Sequence, residues 1–144
     1  MAFDFLSLQV RGKVEEMLPE RFKNNTEAAA NWADSLKGNS SYSWSFPMHY
    51  VNPTNDNPPH YCASLYEIEG DNIVNAIRSF AAKIRSSNKK EATEALLFTI
   101  HFVGDLHQPL HVSGTASGGN DISVVFDGKR AKLHGVWDKS MIQV

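Results

Sequence analysis

Apolar residues recur at helical spacing in four stretches of the chain, and the segments between them are polar and rich in turn-forming residues. Over Phe3 to Leu18, the positions Val10, Val14, Met17 and Leu18 share one face of a helix that Pro19 closes, with Gly12 as its weak point. Asn25 or Thr26 then caps a run in which Ala29, Trp32, Ala33 and Leu36 repeat at i, i+3, i+4 and i+7, with Gly38 as its stop and Asp34 on its flank. From Asp71 or Asn72, a stripe of Ile73, Val74, Ile77, Phe80, Ala81 and Ile84 predicts a surface helix that ends in the polar turn at 86 to 90. The run from Glu91 to Leu106 is apolar almost all round, which predicts a central helix packed on every side until Pro109 interrupts it. Residues 38 to 70 are dense in Gly, Ser, Asn and Pro and read as a long irregular connection. Near the end, I-S-V-V-F and K-L-H-G-V-W flank Asp127-Gly128, a dipeptide suited to a tight hairpin turn. The pattern as a whole predicts a mainly α fold with one short β-hairpin, built as a single domain because no linker separates two cores.

Composition changes this picture in two ways. At 144 residues and 42% hydrophobic the chain can bury a real core, but its net charge of −2 leaves no basic field that would hold nucleic acid by phosphate neutralisation. An anionic partner would need some other source of attraction. No window is long and apolar enough for a membrane span, and the start lacks the pattern of a signal peptide, so no membrane partner and no export address are expected. The lone Cys62 excludes an intrachain disulfide and a cysteine-based zinc site, which leaves the six histidines as the candidate ligands.

Two of them fall on helical or turn segments beside a carboxylate. His101 and Asp105 are four apart on the central helix, and His134 and Asp138 repeat the spacing in L-H-G-V-W-D. On pattern alone, one His-x-x-x-Asp pair is more often a hydrogen-bonded surface pair than a ligand set. Two pairs in one short chain shift that balance, because an unpaired aspartate on a buried apolar helix costs several kcal/mol and a cation removes the cost. His111 lies between the pairs, just past the Gln108-Pro109 break. Asp34 in W-A-D and His49 in M-H-Y-V-N are polar residues set beside large apolar ones, and spacing alone reads them as a helix-flank carboxylate and a loop histidine. His60 reads as a surface residue, His107 as a local hydrogen-bonding group, and Trp32, Trp44 and Trp137 as core.

The string H-F-V-G-D-L-H-Q-P-L-H at 101 to 111, followed by G-G-N at 118 to 120 and L-H-G-V-W-D at 133 to 138, resembles the zinc-dependent nucleases of fungi and plants. That group holds the fungal single-strand-specific and plant bifunctional nucleases, with bacterial zinc phospholipases C as more distant relatives. W-A-D at 32 to 34 and M-H-Y-V-N at 48 to 52 fall in the family's order, so the motifs run in register over about 105 residues. The resemblance implies a helical zinc-nuclease fold in which Asp34, His49, His101 and Asp105 hold one zinc and His111, His134 and Asp138 a second. Asp34 and Asp105 are the implied catalytic carboxylates, Asp34 also orienting the attacking water. The family's third zinc uses an N-terminal tryptophan and a nearby histidine, and the opening M-A-F-D-F-L offers neither, so two zinc sites are expected. Relative to the family the chain reads as lacking its N-terminal and C-terminal segments, which predicts exposed apolar faces and self-association. Lys132 stands where the family has asparagine, and Asn72 where it has a cysteine.

The implied activity is hydrolysis of single-stranded DNA and RNA to 5′-phosphate products, with the metal charge attracting the phosphates that a chain of net charge −2 would otherwise repel. The alternatives are a zinc-binding fragment without catalysis and, ranked lower, a phospholipase C. Family members are secreted, so export of a longer form is expected despite the missing signal pattern. Asn24 and Asn39 sit in glycosylation sequons, about as many as an Asn-rich chain yields by chance.

Overall fold

The computed structural model describes residues 5–53 and 68–141, and within them the fold is mainly helical with a single two-stranded sheet. His60 and Cys62 lie outside the described residues. Two compact units form, one from residues up to Ser43 together with Ile77–His101, the other from Trp44–Ala76 together with Phe102 onward. No helix among the described residues is long and apolar enough to cross a membrane.

In the first unit, helix α1 spans Leu8–Met17, so it begins later than the apolar pattern implied. Ser7 explains the shift: its hydroxyl accepts from the Val10 N–H at 3.3 Å and supplies the N-cap that Phe3 could not. Asn25 caps α2 as expected, accepting from the Ala28 N–H at 3.0 Å, but α2 covers only Thr26–Ala30. The predicted continuous helix through Leu36 breaks instead into a turn and a 3₁₀ segment, Asp34–Leu36, with Ser35 Oγ donating back to the Trp32 carbonyl at 2.6 Å. Such back-bonding is how serine competes with an α-helical ladder.

Helix α3 spans Ile73–Lys83 and helix α4 Lys89–Leu106. Asn88 starts α4 by accepting from the amides of Lys90 and Glu91. Leu96 and Leu97 of α4 close a core with Leu18, Phe22 and Ala29, against which Val14, Met17 and Trp32 pack. Phe98 is fully buried and meets the rings of Phe80 at 4.9 Å, Trp32 at 5.1 Å and Tyr42 at 6.2 Å. The expected all-round burial of α4 holds only in part, since Val103 and Gly104 are exposed. The gap falls one turn before the helix end, where the chain turns to ligand-type residues.

In the second unit, the predicted irregular connection contains a 3₁₀ run, Ser40–His49, whose last residues from Trp44 on belong here. Asn72 is buried and caps α3: its carbonyl accepts from the Val74 and Asn75 amides while its amino group donates to the Ile68 and Gly70 carbonyls. The hairpin pairs β1, Ser123–Phe126, with β2, Lys129–Lys132, around Asp127 at φ 49° and Gly128 at φ 72°, a type I′ turn. The second strand stops at Lys132. The L-H-G-V-W run expected to extend it is a short helix α5, Leu133–Gly135, continuing into a wide helical turn, Val136–Ser140. Of the tryptophans expected in the core, Trp32 packs there, while Trp44 and Trp137 are each about two-fifths exposed.

Candidate metal centre

His49, His101 and His134 are each held by a bond that commits one ring nitrogen. In the first unit, His101 Nδ1 lies 2.6 Å from the Ala30 carbonyl at the end of α2. A carbonyl can only accept, so Nδ1 carries the proton and Nε2 keeps its lone pair, 3.6 Å from Asp34 Oδ1. The 3₁₀ segment that shortens α2 is what carries Asp34 there, and the same carboxylate also meets Lys37 Nζ at 2.7 Å.

In the second unit, His134 repeats the arrangement. Its Nδ1 donates to the Gly118 carbonyl at 2.8 Å, which leaves Nε2 facing Asp138 Oδ2 at 3.2 Å. His111 comes from the 3₁₀ turn Pro109–Val112, its ring stacked on that of His134 at 5.1 Å between centroids. Its Nε2 is 3.4 Å from Asp138 Oδ1 and its Nδ1 3.6 Å from Asp105 Oδ1. Donor atoms of His111, His134 and Asp138 all lie within 4.8 Å of one another. Asp105 is bonded through Oδ2 to His49 Nδ1 at 2.9 Å, and the His49 ring stands edge-on to Phe102 at 5.1 Å. Burial pushes His111 below the usual histidine range; Asp105 and Asp138 act the other way, and His134 and His49 add to the lowering. The neutral ring that a metal requires is thereby favoured.

The donor set fits a divalent cation. His111 Nδ1 is buried and lacks a hydrogen-bond partner, and imidazole nitrogens stand 3.2–3.6 Å from carboxylate oxygens, the donor types that zinc takes. Both units thus carry histidine and aspartate side chains that could hold metal ions, Asp34 and His101 in the first and His49, His111, His134 and Asp138 in the second.

A loop and one side chain complete the second unit's group. Ala116, Ser117, Gly118 and Gly119 take successive positive φ values of 49°, 55°, 60° and 78°, a left-handed turn that aims the Gly118 carbonyl at His134. A Cβ on Gly118 would sit 2.6 Å from the Leu110 carbonyl oxygen, so only glycine lets the loop come this close. In the sequence, Gln108 reads only as part of the break before Pro109. Its Oε1 accepts from the Leu110 N–H at 2.6 Å and its Nε2 donates to Asp138 Oδ1 at 2.8 Å. A polar residue just before a helix-starting proline signals the first bond, but nothing in the sequence signals the second. His107, as expected, hydrogen-bonds locally, Nδ1 to the Val103 carbonyl at 2.6 Å.

Comparison with known proteins gives the family. A family model described as S1/P1 nuclease matches residues 1–144. Endonuclease 2 of Arabidopsis thaliana is 35% identical over 141 residues, covering 90% of this chain and 48% of its own length. Nuclease S1 of Aspergillus oryzae is 32% identical over 145 residues, 98% of this chain and 50% of its own, and nuclease P1 of Penicillium citrinum 32% over 148 residues, 99% and 54%. The chain therefore spans about half the length of the curated relatives it matches. With a family model matched along its whole length and histidine–aspartate groups gathered by its helix ends and loops, the chain belongs to the S1/P1 nuclease family.

Proposed function

We propose that the protein is a zinc-dependent endonuclease that hydrolyses single-stranded DNA and RNA to 5′-phosphate products. The observation that carries this reading is the convergence of His111, His134 and Asp138 within 4.8 Å in a chain of a nuclease family. The family resemblance implies that Asp34, His49, His101 and Asp105 hold one zinc and His111, His134 and Asp138 a second. Zinc bound by these residues supplies positive charge for the phosphodiester and lowers the pKa of an attacking water.

The chain's own residues then have separate tasks. Asp34 is about half exposed and so accessible to a water that it can orient toward phosphorus. Asp105 offers both oxygens, one to His49 and one toward His111, so its carboxylate links two ligand-bearing segments. The Ala30 and Gly118 carbonyls fix the tautomers of His101 and His134 and keep an imidazole lone pair aimed inward. With a net side-chain charge of −2, attraction for a polyanion has to come from the bound cations.

Release of acid-soluble nucleotides from single-stranded DNA, measured with bound zinc quantified in the same sample, tests the reading. Turnover is expected, lost on chelation, restored by zinc and abolished by Asp105→Ala. Zinc-loaded protein that releases no nucleotide overturns it, and activity on lecithin in place of DNA reassigns the substrate to phospholipid.

A further inference from the structure

The two segments that carry His111 and Asp138 are separate in sequence, and one neutral side chain bonds to both. Gln108 immediately precedes the 3₁₀ turn Pro109–Val112 that carries His111. Its Oε1 accepts the Leu110 N–H inside that turn at 2.6 Å, which fixes the orientation of the amide because only the carbonyl end can accept. The amino end must then face the wide turn Val136–Ser140, where it donates to Asp138 Oδ1 at 2.8 Å. Asp138 Oδ2 is left directed at His134 Nε2, 3.2 Å away. The distances describe a carboxylate whose Oδ1, anchored by Gln108, lies 3.4 Å from His111 Nε2 while Oδ2 is presented to His134.

We propose that Gln108 is a positioning residue for the metal group: its amide clamps Asp138 to the His111 turn, so that carboxylate and imidazoles are held at ligand separation before the cation arrives. The inference rests on the reading that His111, His134 and Asp138 hold a metal. Gln108 is suited to the task by its length, which spans the two turns, and by its neutrality. Glutamate at 108 keeps an acceptor for Leu110 but replaces the donor with an oxygen beside the Asp138 carboxylate, where two like charges repel. Methionine keeps the approximate volume and supplies neither bond. Loss of an outer partner of this kind costs metal affinity about 10–100-fold.

The test uses the full chain, stripped with chelator and titrated with Zn²⁺ against a chromophoric chelator, then with Co²⁺ while its visible absorption is recorded. In wild type, the equivalent of metal abolished by His134→Ala identifies this group. Gln108→Glu and Gln108→Met are expected to weaken that equivalent about 10–100-fold, to alter its Co²⁺ absorption, and to leave the metal-free melting temperature near wild type. Unchanged affinity and spectrum in both variants overturn the positioning role. So does a fall in metal-free melting in both, or failure of both to fold, since either makes Gln108 a structural residue. A wild-type chain that takes up no metal overturns the metal reading, and this inference with it.

Discussion

The two units of the chain differ in how much of their structure rests on packing and how much on directed bonds, although His101 of the first unit is itself oriented by the Ala30 carbonyl. In the first, position follows from apolar packing: Leu18, Phe22, Ala29, Leu96 and Leu97 close on one another, and Phe98 is gripped by three aromatic rings. In the second, position follows from directed polar bonds. His134 is held by the Gly118 carbonyl, Asp138 by the Gln108 amide and His49 by Asp105, around a left-handed turn and a short hairpin with Val125 exposed. Packing supplies the larger free energy, because it scales with buried area. Hydrogen bonds supply angle and tautomer, which is what metal ligands need. Thermal stability and metal affinity should therefore respond to different substitutions.

The largest expected effect is in the first unit. Phe98→Ala removes a fully buried ring from its aromatic surround and should cost about 3–5 kcal/mol. Calorimetry should record the loss equally with zinc and with chelator. If the variant lost stability only in the zinc-loaded protein, the division between packing and ligation would be wrong.

Next in size is the complementary experiment. Zinc at a hundredfold excess over its dissociation constant should stabilise the wild type by about 2.7 kcal/mol. His134→Ala and Asp138→Asn should each lose most of that gain. In chelator, Asp138→Asn should melt with the wild type or slightly above it, because it removes a negative charge from a group that already holds Asp105. A fall of several degrees in chelator would mean that Asp138 supports the fold rather than a cation.

This contrast also explains what was legible in the sequence. Helices α1, α3 and α4 were visible because burial imposes a 3.6-residue period on apolar residues, and Asn25 was visible because a cap has a local signature. The ligand-type residues were visible through motif order and through the cost of leaving Asp105 without a partner. The break of α2 was not, since Ser35 donating to the Trp32 carbonyl is one of several local options open to serine. The helical state of Leu133–Trp137 was also hidden, because a short run of Leu, Val and Trp suits a strand as well as a helix. What orients the histidines was invisible for a deeper reason: the Ala30 and Gly118 carbonyls are backbone atoms, and their residue types carry no record of where the oxygen points.

A smaller effect separates close approach from backbone strain. Gly118 and Gly128 both have positive φ, 60° and 72°, but a Cβ at Gly118 meets the Leu110 carbonyl at 2.6 Å whereas one at Gly128 meets nothing within 4 Å. Gly128→Ala should thus cost only the left-handed penalty, about 1–2 kcal/mol. Gly118→Ala should cost more and should also weaken zinc binding, because the loop cannot retreat from Leu110 without taking its carbonyl from His134. Equal losses in the two variants, with zinc affinity unchanged, would show that the loop's closeness is incidental to ligation.

The smallest effect carries the contrast between the units to a difference of sign. Ala82 lies on the exposed surface of α3 in the first unit, and Ala116 opens the left-handed turn of the second at φ 49°. Replacing alanine with glycine removes the best helix former, and in the last turn of α3 it should cost Ala82→Gly up to about 1 kcal/mol. The same substitution at 116 relieves a conformation that costs an L-residue about 1–2 kcal/mol, against about 0.5–1 kcal/mol of added chain entropy in the unfolded state. Ala116→Gly should therefore gain a few tenths to about 1 kcal/mol, raising the melting temperature by roughly 1–4 °C in zinc and in chelator alike. If Ala116→Gly lost stability as Ala82→Gly does, the left-handed turn would not be an independently strained element, and its hold on His134 would need another source.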